Sequence, residues 1–274
     1  MSRKSVIIEA GKRDKRYWKD IWEYRELFFF LAWRDILVRY KQTVIGIAWS
    51  VLRPFLTMVV FTVIFGKLAK FPSGDAPYPI LVYAAMLPWQ FFANSLSESS
   101  NSLVTNSNMI SKVYFPRMIV PASSVALGIA DFLISLLILA FLMIWYHFIP
   151  DWRIVTLPLF FLLAIITSLG ASLWFAALNV RYRDFRYIVP FLVQFGLYIS
   201  PVGFASGVVP EKWRLLYSMN PMVGVIDGFR WAILGDVSGM YWPGFLISFI
   251  LSAFLLYGGI RYFRGTEKVF ADII

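Results

Sequence analysis

Three charged residues fall within the long apolar blocks of this sequence, where charge is costly. They are Arg53, Glu98 and Asp131. Ionisable side chains at membrane depth face a polar path or a partner, because an isolated charge is poorly solvated in lipid. They either belong to a pathway or gating contact, or pair with each other or with backbone to fix helix packing. Arg53 and Glu98 fall toward the same side of the membrane, so we expect them to pair.

The residues needed for most enzyme chemistry are missing. The sequence has no cysteine and a single histidine, His147, so thiolate metal sites, histidine clusters and cysteine nucleophiles are excluded. Neither a Gly-x4-Gly-Lys-Ser/Thr loop nor a Gly-x-Ser-x-Gly elbow is present. Acidic residues are scattered singly rather than clustered. We therefore predict no catalytic residue, no metal site and no ATP binding by this chain itself.

Composition indicates a membrane protein. The 274 residues are 59% hydrophobic and only 15% charged, whereas soluble domains average about half apolar and about a quarter charged. The net charge of +10 lies at alternate ends of the apolar blocks. That placement favours anionic membrane lipids as partners over nucleic acid.

The apolar blocks predict an all-α polytopic fold with six transmembrane helices. We expect the spans at about residues 45–65, 80–104, 119–146, 155–178, 188–204 and 242–262. With this topology, 20 of the 26 Lys and Arg residues fall on the side that holds both termini. Because cytoplasmic loops are enriched in Lys and Arg, we expect a multi-pass protein with both termini in the cytoplasm.

Two segments do not fit simple spans. Residues 1–44 are predicted to be a cytoplasmic arm followed by an amphipathic interface helix, which precedes a six-span domain over 45–274. A span over 27–38 is the alternative, but it is only about a dozen residues long and contains Arg34 and Asp35. Residues 205–235 are apolar yet interrupted by Pro, Gly and charge, so they cannot cross a bilayer as one helix.

Aromatic residues near the span ends are typical of interfacial belts. A polysaccharide path would also need aromatic rings, on which sugar C–H faces pack. The candidate channel-lining residues are Trp49, Phe55, Tyr83, Trp89 and Tyr198. Composition alone leaves both interpretations open.

Several short motifs, taken in order, resemble those of a known family. They are IGIAWSVLRP from Ile45 to Pro54, LPWQFF from Leu87 to Phe92, NSNMISKVYFPR from Asn106 to Arg117, NVRYRD from Asn179 to Asp184, Ser200-Pro201, Asn220-Pro221 and GFRW from Gly228 to Trp231. Their order and spacing resemble the permease subunit of ABC-2 polysaccharide exporters, which include the O-antigen and teichoic-acid exporters.

The resemblance implies a homodimer bound to two copies of a separate ABC ATPase subunit in a bacterial inner membrane. ATP and Mg would be held by that partner, with no cofactor bound by this chain. The cargo would be a polysaccharide such as O-antigen, linked to undecaprenyl diphosphate. The alternatives are an ABC-2 exporter of a drug or small lipid, and a membrane-embedded glycosyl or phosphate transferase.

The resemblance also implies a coupling helix at about residues 106–117 that docks on the ATPase. Its candidate contact residues are Asn106, Met109, Ile110, Lys112, Val113, Tyr114 and Arg117. A polar loop with a small apolar face suits docking, and a solvated loop is the alternative.

By the same resemblance, residues 205–235 form a re-entrant helical hairpin between the fifth and sixth spans; a surface hairpin is the alternative. Arg230 would then lie near outer head groups or the moving diphosphate. Arg181, Arg183 and Arg186 are candidates to bind the carrier diphosphate, because guanidinium groups match phosphate oxygens. Positive-inside anchoring explains these three arginines equally well.

Overall fold

The structure, a computed structural model, describes residues 17–41, 46–72, 76–235 and 239–270, and only the backbone of residues 46–50. Every regular element in these ranges is helical, which confirms the all-α prediction. The predicted N-terminal arm before residue 17 lies outside the described residues.

The described residues form α-helices joined by short π and 3-10 segments. The helices are α1 (Tyr17–Glu23), α2 (Arg25–Lys41), α3 (Gly46–Phe61), α4 (Tyr78–Thr105), α5 (Ser107–Lys112), α6 (Ile119–Trp145), α7 (Leu157–Arg181), α8 (Phe185–Ile199), α9 (Glu211–Tyr217), α10 (Pro221–Leu234) and α11 (Trp242–Thr266). A π-helical segment, Thr62–Leu68, extends α3, and the 3-10 segment Trp152–Thr156 leads into α7.

Four helical segments are long and apolar enough to cross a membrane. They are Val51–Leu68, Ile119–Trp145, Trp152–Arg181 and Trp242–Val269. α4 has the length, at 28 residues, but it carries many polar residues. α8 is apolar but has only 15 residues. The hydropathy of the described helices therefore identifies four of the six predicted spans.

α8 ends five residues before the predicted end of the fifth span at residue 204. The residue that follows the helix, Ser200, is extended at ψ 152° and precedes Pro201. A proline disfavours helical geometry in the residue before it, so the helix ends there. The chain then passes through Ser206–Val208 to α9 and α10.

α4 is the central helix of the fold. It contacts α3, α6, α7, α8 and α10, and 18 of its 28 residues are buried. The buried set includes Ser95, Ser99, Ser100 and Ser102, so these four polar positions face other helices, whereas Glu98 is exposed.

α7 and α11 pack with their backbones close together. A Cβ added to Gly170 would lie 2.6 Å from the backbone nitrogen of Leu256, and one added to Gly259 would lie 2.6 Å from the carbonyl oxygen of Gly170. Small residues at helix crossings allow this approach in membrane proteins.

Contacts across the fold define its two ends. At one end, the first helix meets the chain after the last: the Tyr17 hydroxyl donates to the Glu267 carboxylate at 2.9 Å. At the other end, the Arg153 guanidinium lies 5.2 Å from the ring centroid of Trp231, which joins the turn before α7 to α10. Both termini of the described chain therefore lie at the same end.

Candidate functional site

The end that holds both termini is built around Tyr17 and Glu267. Besides accepting the Tyr17 hydrogen bond, Glu267 uses its backbone carbonyl to accept one from the Arg117 guanidinium. The Arg264 guanidinium lies 4.5 Å from the Tyr17 ring centroid. Burial, followed by the neighbouring Glu267 carboxylate, raises the pKa of Tyr17 above its usual range, so the phenol stays a neutral donor. This junction holds α1, the segment after α5 and the end of α11 together.

The segment predicted as a coupling helix is helical only over Ser107–Lys112, since Val113 adopts an extended conformation. Its inward side differs from the sequence prediction. Ile110 is buried and Met109 half-buried, and both belong to a cluster that includes Leu31 of α2 and Phe263 of α11. These two side chains stabilise the segment against the bundle and are not available for docking in this conformation.

The outward side of the segment carries Lys112, Val113 and Tyr114, all of which are exposed. Val113 and Tyr114 are each 55% exposed, so they form the apolar part of its outer surface. Arg117 is half-buried and held by Glu267, and Asn106 is half-buried where α4 ends. The structure thus divides the predicted contact residues into two faces.

α2 presents apolar side chains on two faces rather than one. Leu31 and Ala32 are buried against the bundle, whereas Phe29, Phe30 and Trp33 are exposed. The predicted pattern, with apolar residues on one side and basic residues on the other, is therefore too simple. Exposed Trp and Phe are typical of helices at a membrane interface or a protein contact.

The three charged residues of the apolar blocks do not pair as predicted. The Glu98 carboxylate lies 3.1 Å from the Arg39 guanidinium, and Asp131 lies 2.7 Å from another nitrogen of the same group. The Arg53 side chain is exposed and forms no ion pair with Glu98. Arg39, on α2, is the partner of both acids because α2 packs against α6 and runs beside α4, from Asn106 at the Arg34 contact to Glu98 at the Arg39 contact.

The candidate aromatic residues are separated by the fold. Tyr83 and Trp89 are buried in the main core cluster, and the Trp89 ring packs so closely on α8 that a Cβ at Gly196 would lie 2.6 Å from it. Phe55 and Tyr198 are exposed on α3 and α8. The Trp49 side chain lies outside the described residues. Of the four candidates whose side chains the structure describes, Phe55 and Tyr198 are the two placed where a moving chain could contact them in this conformation.

The three arginines predicted to bind a diphosphate are exposed around the turn between α7 and α8. The Arg181 guanidinium lies 5.4 Å from the ring centroid of Tyr182. Arg183 and Arg186 flank the start of α8, so the three guanidinium groups are accessible at the end that holds both termini.

Arg230 differs from these exposed arginines, because it is only 1% exposed. Its guanidinium donates to the carbonyls of Leu81 at 3.2 Å, Phe204 at 2.7 Å and Val202 at 2.9 Å. All three nitrogens are occupied by backbone oxygens. The predicted head-group role is therefore wrong for this conformation: Arg230 joins α10 to α4 and to the turn after α8.

We call these three hydrogen bonds the Arg230 brace. A cavity of about 320 Å³ lies beside it. Its polar lining includes Arg214, Tyr217 and Ser218. Each already has a local partner: Arg214 donates to the Val209 carbonyl, Tyr217 to the Ile199 carbonyl, and Ser218 to the Arg214 carbonyl. These hydrogen bonds stabilise α9 and join it to the end of α8.

A helical bundle with four segments long and apolar enough to span a membrane agrees with a family comparison. Residues 26–234 match the family described as ABC-2 type transporter. That range covers most of the chain. The chain belongs to the ABC-2 type transporter family.

Individual relatives match the ABC-2 chain over most of its length. An "O-antigen export system permease protein RfbA" of Klebsiella pneumoniae is 28% identical over 260 residues, 91% of this chain and 95% of the relative. A protein of the same name from Myxococcus xanthus is 26% identical over 214 residues, 77% of this chain and 82% of the relative. The "Inner membrane transport permease YadH" of Escherichia coli K12 is 25% identical over 255 residues, covering 88% and 93%.

Sequence reasoning missed three residues that organise this ABC-2 permease: Tyr17, Arg39 and Glu267. Arg39 is one of 11 basic residues before Gly46, so the sequence analysis counted it only as part of the positive-inside pattern. A signal was available. Two lone acids in apolar blocks need a cation, and α2 carries several cations that the sequence analysis had paired with no acid. Tyr17 and Glu267 lie at opposite ends of the sequence, and no local pattern joins them.

Proposed function

We propose that this chain is the membrane subunit of an ATP-driven exporter of a lipid-linked polysaccharide such as O-antigen. The observation that carries this proposal is the similarity to proteins named O-antigen export permeases over 91% of the chain. Membership of the ABC-2 family supports a transporter rather than an enzyme. The carrier would be undecaprenyl diphosphate in a bacterial inner membrane.

Six membrane spans are part of this proposal: α3 with its π segment, α4, α6, α7, α8 and α11. α4 would be about 42 Å long at 1.5 Å per residue, which exceeds the roughly 30 Å hydrocarbon layer. Because its serines are buried between helices, its polarity does not exclude a central span. α8 would be only about 22 Å long, so residues 200–204 complete that crossing.

The position of the termini supports an even number of spans. The Tyr17–Glu267 hydrogen bond places the first helix and the end of the last one together. Because most of the basic residues lie at this end, we assign it to the cytoplasm. α10 then packs at the outer end: Gly228 contacts Phe160 near the start of α7, and Gly224 contacts Ser248 in the first turns of α11. This arrangement supports a re-entrant helix.

The energy source would be two copies of a separate ABC ATPase subunit, which would hold the ATP and Mg. The exposed pair Val113 and Tyr114, with Lys112 beside it, offers a small apolar surface with a basic rim at the cytoplasmic end. Interface centres commonly have this form. Met109 and Ile110, packed against α2, would set the position of that surface.

A homodimer would place the glycan path along α3 and α8. The rings of Phe61 and Tyr198 lie 6.4 Å apart, so these helices are neighbours. Val189 is the buried residue of α8, and most other side chains of this helix are exposed. A second copy covering this face would bring Phe55 and Tyr198 toward a shared path, where sugar C–H groups pack on aromatic faces.

The exposed arginines 181, 183 and 186 would meet the carrier diphosphate at the cytoplasmic end. Arginine binds phosphate oxygens through paired N–H donors, and the three side chains have no competing ion pair among the described residues. The same charges also favour anionic lipid head groups, so they would attract the carrier from the inner leaflet.

The test is ATP-dependent export in membrane vesicles that contain this chain, its ATPase and a labelled lipid-linked glycan. We expect glycan to become accessible on the outer face only when ATP is hydrolysed. Export that continues after the ATPase is inactivated would exclude the mechanism. Transport of a drug or a lipid without a glycan, or turnover by the chain alone, would favour the two alternative functions.

A further inference from the structure

α2 contacts two parts of the bundle through two arginines, Arg34 and Arg39. Near its middle, an Arg34 nitrogen donates to the Asn106 side-chain oxygen at 3.1 Å, where α4 ends and the coupling segment begins. Near its C-terminal end, Arg39 reaches Glu98 on α4 and Asp131 on α6. α2 therefore joins the coupling segment to two proposed spans.

The Arg39 contact is a two-branched bridge. One terminal nitrogen donates to Asp131 at 2.7 Å and the other donates to Glu98 at 3.1 Å. The Tyr40 hydroxyl donates to the second oxygen of Asp131. A planar guanidinium can serve two carboxylates on different helices at once, whereas a lysine ammonium is a single charged centre on a flexible stem.

The two acids are not equivalent. The Asp131 side chain is 13% exposed and the Glu98 side chain 51% exposed. A carboxylate shielded from water needs its counter-charge, while a water-exposed pair is screened and weak. Arg39 is therefore bound firmly to α6 and loosely to α4.

We propose that Arg39 is a positioning residue that transmits displacement of the coupling segment to α6 and α4. This inference rests on the proposed function, because it assumes an ATPase that moves the coupling segment. Displacement enters α2 through Arg34–Asn106 and through Ile110 and Leu31, which share one buried cluster. α2 spans 17 residues, about 25 Å of continuous helix, so it carries that displacement to Arg39 as a rigid rod.

A simple structural brace would give the same contacts, so the variants must separate the two roles. Arg39→Met leaves the shielded Asp131 without its cation and is expected to weaken folding. Arg39→Met combined with Asp131→Asn removes both charges, and removal of both partners is commonly close to neutral for stability. The double variant therefore restores assembly without restoring the ionic link.

The experiment uses the full complex with its ATPase in proteoliposomes. For the double variant we expect wild-type complex yield and ATP hydrolysis, but about tenfold less glycan exported per ATP hydrolysed, a coupling loss of ordinary size. Arg39→Lys should give an intermediate value, because it keeps the charge but serves one acid at a time. Lys41→Met, a charge removal two residues further on the same helix, is the control and should match the wild type.

A second measurement does not depend on the cargo. The chain has no cysteine, so spin labels can be placed at Trp33→Cys on α2 and Leu137→Cys on α6, which are both exposed. If Arg39 binds α2 to α6, ATP should leave the label distance unchanged in the otherwise wild-type chain and alter it in the double variant.

The outcomes separate this inference from the proposed function. Normal export per ATP in the double variant, or equal label distances with and without ATP in that variant, would overturn the role of Arg39. If the wild-type complex hydrolyses ATP without exporting glycan while the label result holds, the cargo assignment fails and the role of Arg39 stands.

Discussion

Replacement of Arg230 by methionine should destabilise the protein strongly. The side chain is 1% exposed and its three nitrogens donate to the carbonyls of Leu81, Val202 and Phe204. Methionine fills part of the volume but donates to none of them. Because these carbonyls belong to two different parts of the chain, the variant loses the connection between α10, α4 and the turn after α8.

The loss in free energy of unfolding depends on how many carbonyl oxygens lose their hydrogen-bond donor. A buried polar group that loses its partner costs about 1–3 kcal/mol. Two of these carbonyls, those of Val202 and Phe204, lie outside any helix and would be left without a donor, whereas the Leu81 carbonyl lies within α4. With partial relaxation near Phe204, the loss is roughly 2–5 kcal/mol. Total stabilities of folded domains are about 5–15 kcal/mol, so a large part of the stability depends on this one side chain.

The assay is thermal unfolding of the detergent-solubilised protein, followed by size-exclusion chromatography with fluorescence detection. For a chain of this size about 1 kcal/mol corresponds to 2–4 °C, so Tm should fall by at least about 4 °C. Arg230→Lys should fall nearly as far, because one ammonium cannot reach three separated carbonyls.

Lys212→Met is the matched control, since Lys212 is an exposed cation on α9 in the same segment. It should unfold within about 1 °C of the wild type, as surface substitutions usually do. If Arg230→Met also unfolds within 2 °C of the wild type but loses export, the brace is refuted. Arg230 would then act on the cargo, as its sequence context first suggested.

Three further predictions follow from close contacts and exposure. Gly170→Val should lower stability by about 1–3 kcal/mol, because its Cβ would lie 2.6 Å from the α11 backbone; Gly207→Ala, which has open space around it, should be neutral in the same thermal assay. Tyr17→Phe should cost about 1.5–3 kcal/mol, since the hydroxyl binds a carboxylate, and an unchanged Tm would contradict this. Replacing the exposed Val113 by serine should weaken co-purification with the proposed ATPase partner by about tenfold while leaving Tm unchanged; a fall in Tm would show that Val113 is structural.

The sequence could predict the helices because their signals are local. The block from Ile119 to Trp145 is apolar apart from Asp131 and three serines, and the observed helix has those bounds within one residue of the prediction. The end of α8 at Ile199 was also available from the sequence, because Ser200-Pro201 disfavours helix at that point. The predicted fifth span extends to residue 204 because the apolar pattern continues past Pro201.

The orientation of short segments could not be predicted, because it depends on distant parts of the chain. Met109, Ile110, Val113 and Tyr114 are all apolar and lie within six residues, so periodicity gives no reason to place two inside and two outside. The buried side is chosen by Leu31 and Phe263, which come from the two ends of the sequence. Only the tertiary fold supplies that choice.

Arg230 shows how the same residue pattern supports opposite roles. An arginine between Phe229 and Trp231 in an interrupted apolar segment fits a head-group site, but it also fits a buried brace. Two backbone carbonyls that lie outside any helix decide between them: those of Val202 and Phe204, in the turn after α8, where Pro201 has ended the helix. The break in α8 therefore creates the acceptors that Arg230 satisfies.

These interior contacts bear on where a polysaccharide would pass. Two of the candidate aromatic residues, Tyr83 and Trp89, are enclosed in the core, and Arg230 is committed to backbone carbonyls. The exposed candidates, Phe55 and Tyr198, lie instead on α3 and α8. Few of the described side chains of these two helices are buried. A polar chain moving between tightly packed helices would have to break these contacts at every step. A path along α3 and α8, closed by the proposed second copy, would break none of these contacts, which favours this face for the proposed path.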